Sequence, residues 1–131
     1  MRTLLAAGVA AIATAATAAP PVPGPAAPPR ATCMTTTGPE IVQGRLVATP
    51  TSTGSAYILV IARPQCLNGP TPDDRVKRFS RIHLAPMNAA HASALARLTG
   101  RHIHVQGRAF PAHTRYHAAP VVMSISDIDA I

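Results

Sequence analysis

The 131-residue chain has no tryptophan, two Tyr and two Phe. So few rings leave little with which to stack bases, and this counts against a single-strand nucleic-acid binder. Acids are also scarce: Glu40, Asp73, Asp74, Asp127 and Asp129 are all five. Asp73 and Asp74 follow a proline and read as turn and solubility residues. Asp127 and Asp129 share one face of a strand, within reach of Arg101 or His102 across a hairpin. No nucleophile elbow, phosphate loop or H-E-x-x-H motif is present, so no enzymatic activity and no cofactor are expected. Nor is there an apolar run long enough for a membrane span. Leu4 to Ala16 is shorter than the roughly 20 residues required and consists mostly of Ala and Thr.

That short run instead has the layout of a secretory signal. Arg2 precedes it, and Ala16-Thr17-Ala18 supplies small residues for cleavage, so residues 1–18 are expected to be removed. The product would be secreted or periplasmic, with no transmembrane span. Residues 19–31, "APPVPGPAAPPRA", contain six prolines and read as an extended tether. The folded domain is then residues 32–131. Its only cysteines, Cys33 and Cys66, are too far apart for a C-x-x-C metal pair. In an oxidising compartment they are expected to form a disulfide.

Basic residues are plentiful: Lys and Arg total 12, for a formal charge of +7. Lys77 is the single lysine. Such a surface can attract an anionic polymer of the cell envelope, or serve solubility alone.

Five segments read as strands. Residues 40–49 alternate apolar and polar except around Gly44, where a bulge or close backbone approach fits. Residues 55–63, "SAYILVIAR", are apolar on both faces, as in a well-buried strand. "PQCLNGPTPDD" reads as a loop, and residues 76–85 as a third strand with Val76, Ile82 and Leu84 toward the core. The period then changes. "PMNAAHASALARLTG" predicts a helix, with Asn88 as its cap, His91, Leu95 and Leu98 on one face, and Gly100 at its end.

Residues 101–110 and 120–128 complete the set as a hairpin. Placing Phe110 opposite Pro120 pairs Ala109 with Val121, Gly107 with Met123 and Val105 with Ile125. The other face then pairs Gln106 with Ser124 and His104 with Ser126. Three strands, one helix and two strands is the order of the OB fold, a small five-stranded barrel, mainly β with one helix. The loop 111–119 would join its fourth and fifth strands, a position that often contacts ligand, with 49–54 beside it.

"GRLVA", "ILVIARPQC", "RIHLAP", "LTGRHIHVQGRAF" and "AHTRYHAAPVVM" together resemble a bacterial exported family, domain of unknown function 4431. The resemblance spans roughly residues 33–131. The family's pattern includes a strand ending Pro-x-Cys, matched by Pro64 to Cys66, and a helix leading to a Gly-initiated strand, matched by Gly100 to Gly107. Its His-rich turn, H-T-G-H-H-H-T-P-V, is matched at His113, Thr114, His117, Pro120 and Val121. Arg115, Tyr116 and Ala118 depart from it. The resemblance implies an exported OB-like domain and no particular chemistry.

Within the loop, His113 and His117 have the i, i+4 spacing of a helical zinc pair, but Pro111 and Pro120 flank them at a hairpin tip. Zinc needs three protein ligands, and no acid or Cys lies in the loop. His102 and His104 lie too far down the fourth strand to join unless the loop folds back over the sheet. Arg115 and Tyr116 offer a cationic fork and a ring, with Arg108 just before the loop. The expected ligand-contacting set is therefore Arg108, His113, Arg115, Tyr116 and His117. The expected partner is a protein or an anionic envelope ligand. A metal-binding protein using His113 and His117 is one alternative, and a single-stranded nucleic-acid-binding OB domain another. His83 and His91 read as isolated, one on an exposed strand face and one on a helix flank.

Overall fold

In the computed structural model, which describes Gly8, residues 32–113 and residues 117–131, the elements follow the expected order. They are β1 (Met34–Thr35), β2 (Glu40–Thr51), β3 (Gly54–Asn68), a 3-10 turn (Pro72–Asp74), β4 (Val76–Ala85), α1 (Ala89–Leu98), β5 (His102–Pro111) and β6 (Val121–Ala130). Apart from Gly8, the expected signal peptide and tether, with Thr114 to Tyr116, lie outside the described residues. Hydrogen bonding runs β3-β2-β5-β6-β4, and β4 returns to β3, so five strands close into a barrel. β4 and β6 pair in parallel, while the other long-strand pairs are antiparallel. This is the expected mainly-β, OB-type barrel with its helix between the third and fourth barrel strands.

Closure depends on β2 serving two neighbours. Glu40 to Arg45 pair with β5, and Arg45 to Thr51 pair with β3. The strand must bend sharply where it changes partner, and Gly44 sits there. A Cβ on Gly44 would lie 2.5 Å from the Val60 carbonyl oxygen, closer than any real contact. The glycine is the close backbone approach that its break in the alternation predicts.

Two expectations about the middle of the chain are corrected. β3 does not stop at Arg63 but runs to Asn68, through the segment read as a loop. Pro64 is tolerated because it falls in the irregular stretch between the Val60 and Gln65 pairings to β4, where the ladder needs no N–H. And a sixth, two-residue strand joins the five expected ones: Met34–Thr35, directly after Cys33, whose disulfide to Cys66 forms as expected. That strand runs parallel to Leu67–Asn68, and Met34 and Leu67 enter the core.

α1 forms as predicted. Asn88, in extended backbone, accepts the His91 N–H on Oδ1 at 2.8 Å. Leu95 and Leu98 are buried in the barrel core, and the Thr99 hydroxyl donates to the Leu95 carbonyl. Gly100, at φ +86°, then turns the chain, and its N–H reaches the Leu46 carbonyl at 2.7 Å. Val76 is only partly buried, whereas Ile82 and Leu84 are core residues.

Between Gly107 and Phe110 the hairpin register differs from the expected one by two residues, and beyond the bulge at Gln106/Gly107 by three. Phe110 faces Val122, Ala109 faces Met123 and Gly107 faces Ile125. A bulge follows at Gln106/Gly107, so Val105 faces Ile128, Gln106 faces Asp127 and His104 faces Asp129. Ser126 instead donates its hydroxyl to the Gln106 carbonyl. A shift of two keeps every inward residue inward, so alternation cannot detect it. The structure's register adds a Pro111–Val121 pair and an Ala112 N–H to Pro120 carbonyl bond of 3.0 Å, which shortens the loop from both ends.

Candidate functional site

One register row runs around the outside of the barrel. Val47 lies opposite Ile58, Ile58 opposite His83, His83 opposite Val122, and Val122 opposite Phe110. These side chains alternate with core residues such as Leu46, Leu59, Ile82 and Met123, so they point outward. Yet Ile58 and Val122 are almost wholly buried. Their cover is the segment leaving β5 and entering β6. Ala119 packs with Ala56, Ile58 and Val47 as a small cluster separate from the barrel core. The segment 117–119 therefore lies back across β6 and β4 onto β3 rather than standing off the hairpin tip.

Three histidines meet there. The Ala118 N–H donates to His83 Nδ1 at 3.1 Å, and the His113 N–H donates to His117 Nδ1 at 3.2 Å. The His83 and His117 rings stand edge to face with centroids 5.7 Å apart. Phe110 lies under both loop histidines, stacked with His113 at 5.8 Å and edge-on to His117 at 6.2 Å. His83 is therefore not an isolated, exposed strand residue. It anchors the loop. Burial, and then the neighbouring His117, hold its pKa below the ordinary 6.5.

Of the expected ligand set, the structure brings together His113 and His117, with Phe110 and His83 added. Arg108 is exposed on β5, facing Ser124, with its side chain on the same outer face one pairing row from Phe110. Arg115 and Tyr116 lie outside the described residues. His102 and His104 stay apart: the six residue steps of strand from His104 to Phe110 span about 20 Å. Ala56, on β3 beyond the 49–54 turn, packs against Ala119, and no residue of 49–54 joins that cluster among the described residues. His91 is held on α1, with its Nδ1 buried and unpartnered.

The bond polarity bears on metal binding. A metal-bound imidazole ligates through one nitrogen and donates N–H from the other. In His83 and His117 the Nδ1 atom accepts a backbone N–H, which places the proton of the neutral ring on Nε2. Neither ring in this arrangement has a free lone pair for a metal. Among the described residues no group of three or more His, Cys, Asp or Glu side chains is arranged to hold one.

Charge on this face has one sign. The row next to Val47–Ile58–His83 is Arg45–Val60–Arg81, with both arginines exposed. On the other side lies Arg108. The five acids are elsewhere. Glu40 accepts the Thr35 N–H and hydroxyl, and Asp74 accepts from Thr71. Asp73 lies beside Asp74 in the 3-10 turn, while Asp127 and Asp129 pair toward the far end of β6. Sequence reasoning missed Arg45 and Arg81, whose strands read as ordinary amphipathic ones. It also missed His83. The available signal was outward-facing Ile58 and Val122, apolar residues that require a cover.

Among the described residues no helix is long and apolar enough to cross a membrane. No curated protein matches the sequence. Among solved structures, a small single-stranded DNA-binding protein from Streptomyces coelicolor is similar at 13% identity and a TM-score of 0.40, over 71% of this chain and 93% of that one. Residues 81–129, from the strand that carries His83 through α1 to the end of the β5–β6 hairpin, match the model of the family described as Domain of unknown function (DUF4431).

Proposed function

We propose that the protein is an exported, non-enzymatic binding module that takes an anionic ligand, a polymer of the envelope or an acidic protein surface. The contact face is the loop joining β5 and β6 together with the outer rows of β2, β3 and β4. The observation that carries this reading is the segregation of charge: Arg45, Arg81 and Arg108 surround the histidine cluster, and all five acids are placed elsewhere. Arg115, within the same loop, adds a further cation by sequence. Guanidinium groups on rigid strands suit sulfate, phosphate or carboxylate groups repeated along a chain. The shallow, apolar-floored row of Phe110, His113 and His117 suits the backbone of such a chain better than a small substrate.

A fluorescently labelled sulfated oligosaccharide tests this by anisotropy, with labelled oligo-dT as a second arm. The expected result is binding that weakens severalfold as salt rises from about 50 to 200 mM, and that is lost in Arg45→Glu/Arg81→Glu/Arg108→Glu. Equal binding by wild type and the triple variant would remove this face from consideration. Binding of oligo-dT without the oligosaccharide would replace the reading with a nucleic-acid one.

A further inference from the structure

We infer that His83 forms a proton-operated latch, which holds the segment entering β6, residues 117–119, against the barrel while its imidazole is neutral and releases it on protonation. The inference rests on hydrogen-bond direction. At His83 the loop is the donor, through the Ala118 N–H, and the side chain is the acceptor, through Nδ1. At His117 the donor is the His113 N–H, and again Nδ1 accepts. An imidazolium carries a proton on both nitrogens and accepts nothing. Adding a proton to His83 at Nδ1 therefore opposes two N–H groups and breaks the bond to Ala118.

No neighbour compensates for this. On its own strand the outward charged group near His83 is Arg81. β3 presents Ile58 and Val60, and β6 presents Val122 and Ser124. From β5 come Phe110 and Arg108, and Arg45 lies beyond on β2. The loop brings His113 and His117. Every charged or titratable group in this set is a cation or can become one. Among the described residues no carboxylate faces the cluster to stabilise an imidazolium, and a charged His117, 5.7 Å away, would repel a charged His83.

The sign follows from linkage. His83 is held below its ordinary value of 6.5 when the loop is docked, so the docked form binds fewer protons than the released form. Docking is then at full strength above that ordinary value. It weakens by up to tenfold per pH unit as pH falls from there toward the docked-state value. Release uncovers Ile58 and Ala56, the apolar residues that Ala119 now packs against. The latch regulates the contact face only if the binding reading above is right. Loop release itself needs no ligand, so the two ideas fail separately.

The test is amide hydrogen exchange by NMR on the full chain without ligand, comparing pH 8 with pH 5 after correction for intrinsic rates. In wild type the protection of Ala118 should fall severalfold at pH 5, while core amides such as that of Ile103 keep theirs. In His83→Asn the side-chain oxygen stands where Nδ1 was and accepts at every pH, so Ala118 should stay protected at both. In His83→Ala it should be unprotected at both. Wild-type protection that does not change with pH would overturn the latch, as would a His83→Asn variant that loses protection in parallel with wild type.

Discussion

Replacing both cysteines, as in Cys33→Ser/Cys66→Ser, should cost the domain a large part of its stability. The bridge spans a sequence separation of 33, between Cα atoms 4.6 Å apart. In the chain-entropy model, closing such a loop removes about 12.5 cal/mol/K from the unfolded ensemble, or about 3.7 kcal/mol at 25 °C. A domain of this size has an unfolding entropy near 0.2 kcal/mol/K, so the melting temperature should fall by roughly 18 °C. A native-state effect reinforces this: β1 pairs through only two residues, and Met34 is held against Leu67 beside the bridge. With no tryptophan to report, far-UV circular dichroism against temperature and urea is the natural assay. A loss below about 1 kcal/mol would refute the reasoning, because it would mean that the unfolded chain gains little freedom when the bridge is cut.

Ile58→Ala tests whether the loop is truly docked. Ile58 is on the outer face yet fully buried, so truncation should cost about 2–4 kcal/mol by chemical denaturation, whereas an exposed outer-face isoleucine would cost well under 1. Asn88→Ala should lower stability by about 1 kcal/mol through loss of the cap to His91, and Asn88→Ser should recover most of it in the same melts.

Local signals in the sequence were strong where a residue had one available explanation. Asn88 and Gly100 bracket an alanine-rich segment and can only be helix ends. Gly44 interrupts an otherwise regular alternation, and the barrel bends there. Ile82 and Leu84 faced the core as their period required. Sequence was blind where two arrangements satisfy the same pattern. The β5–β6 register can slide by two without exposing an apolar side chain, so alternation admits Phe110 opposite Pro120 as readily as opposite Val122. Pro64 looked like a strand end because its neighbour's partnering was invisible. The site was half legible. Its loop and two histidines were evident from "AFPAHTRYHAAPVV". His83 was not, since its role arises from a fold-back between residues 35 apart in the chain, which no periodicity encodes.

The seam where β4 meets β6 has a kinetic side. It joins Ile82 to Val121 in parallel, so it cannot zip from a tight turn. It must wait for α1 and the β5–β6 hairpin to be in place. Such long-range pairing places the domain among slower-folding topologies, with barrel closure as the late event. The Ala118–His83 bond crosses this same seam from outside. A proton at His83 would then act on the last stitch of folding as well as on the loop, and the acid-exposed chain would pass more time as an unclosed sheet.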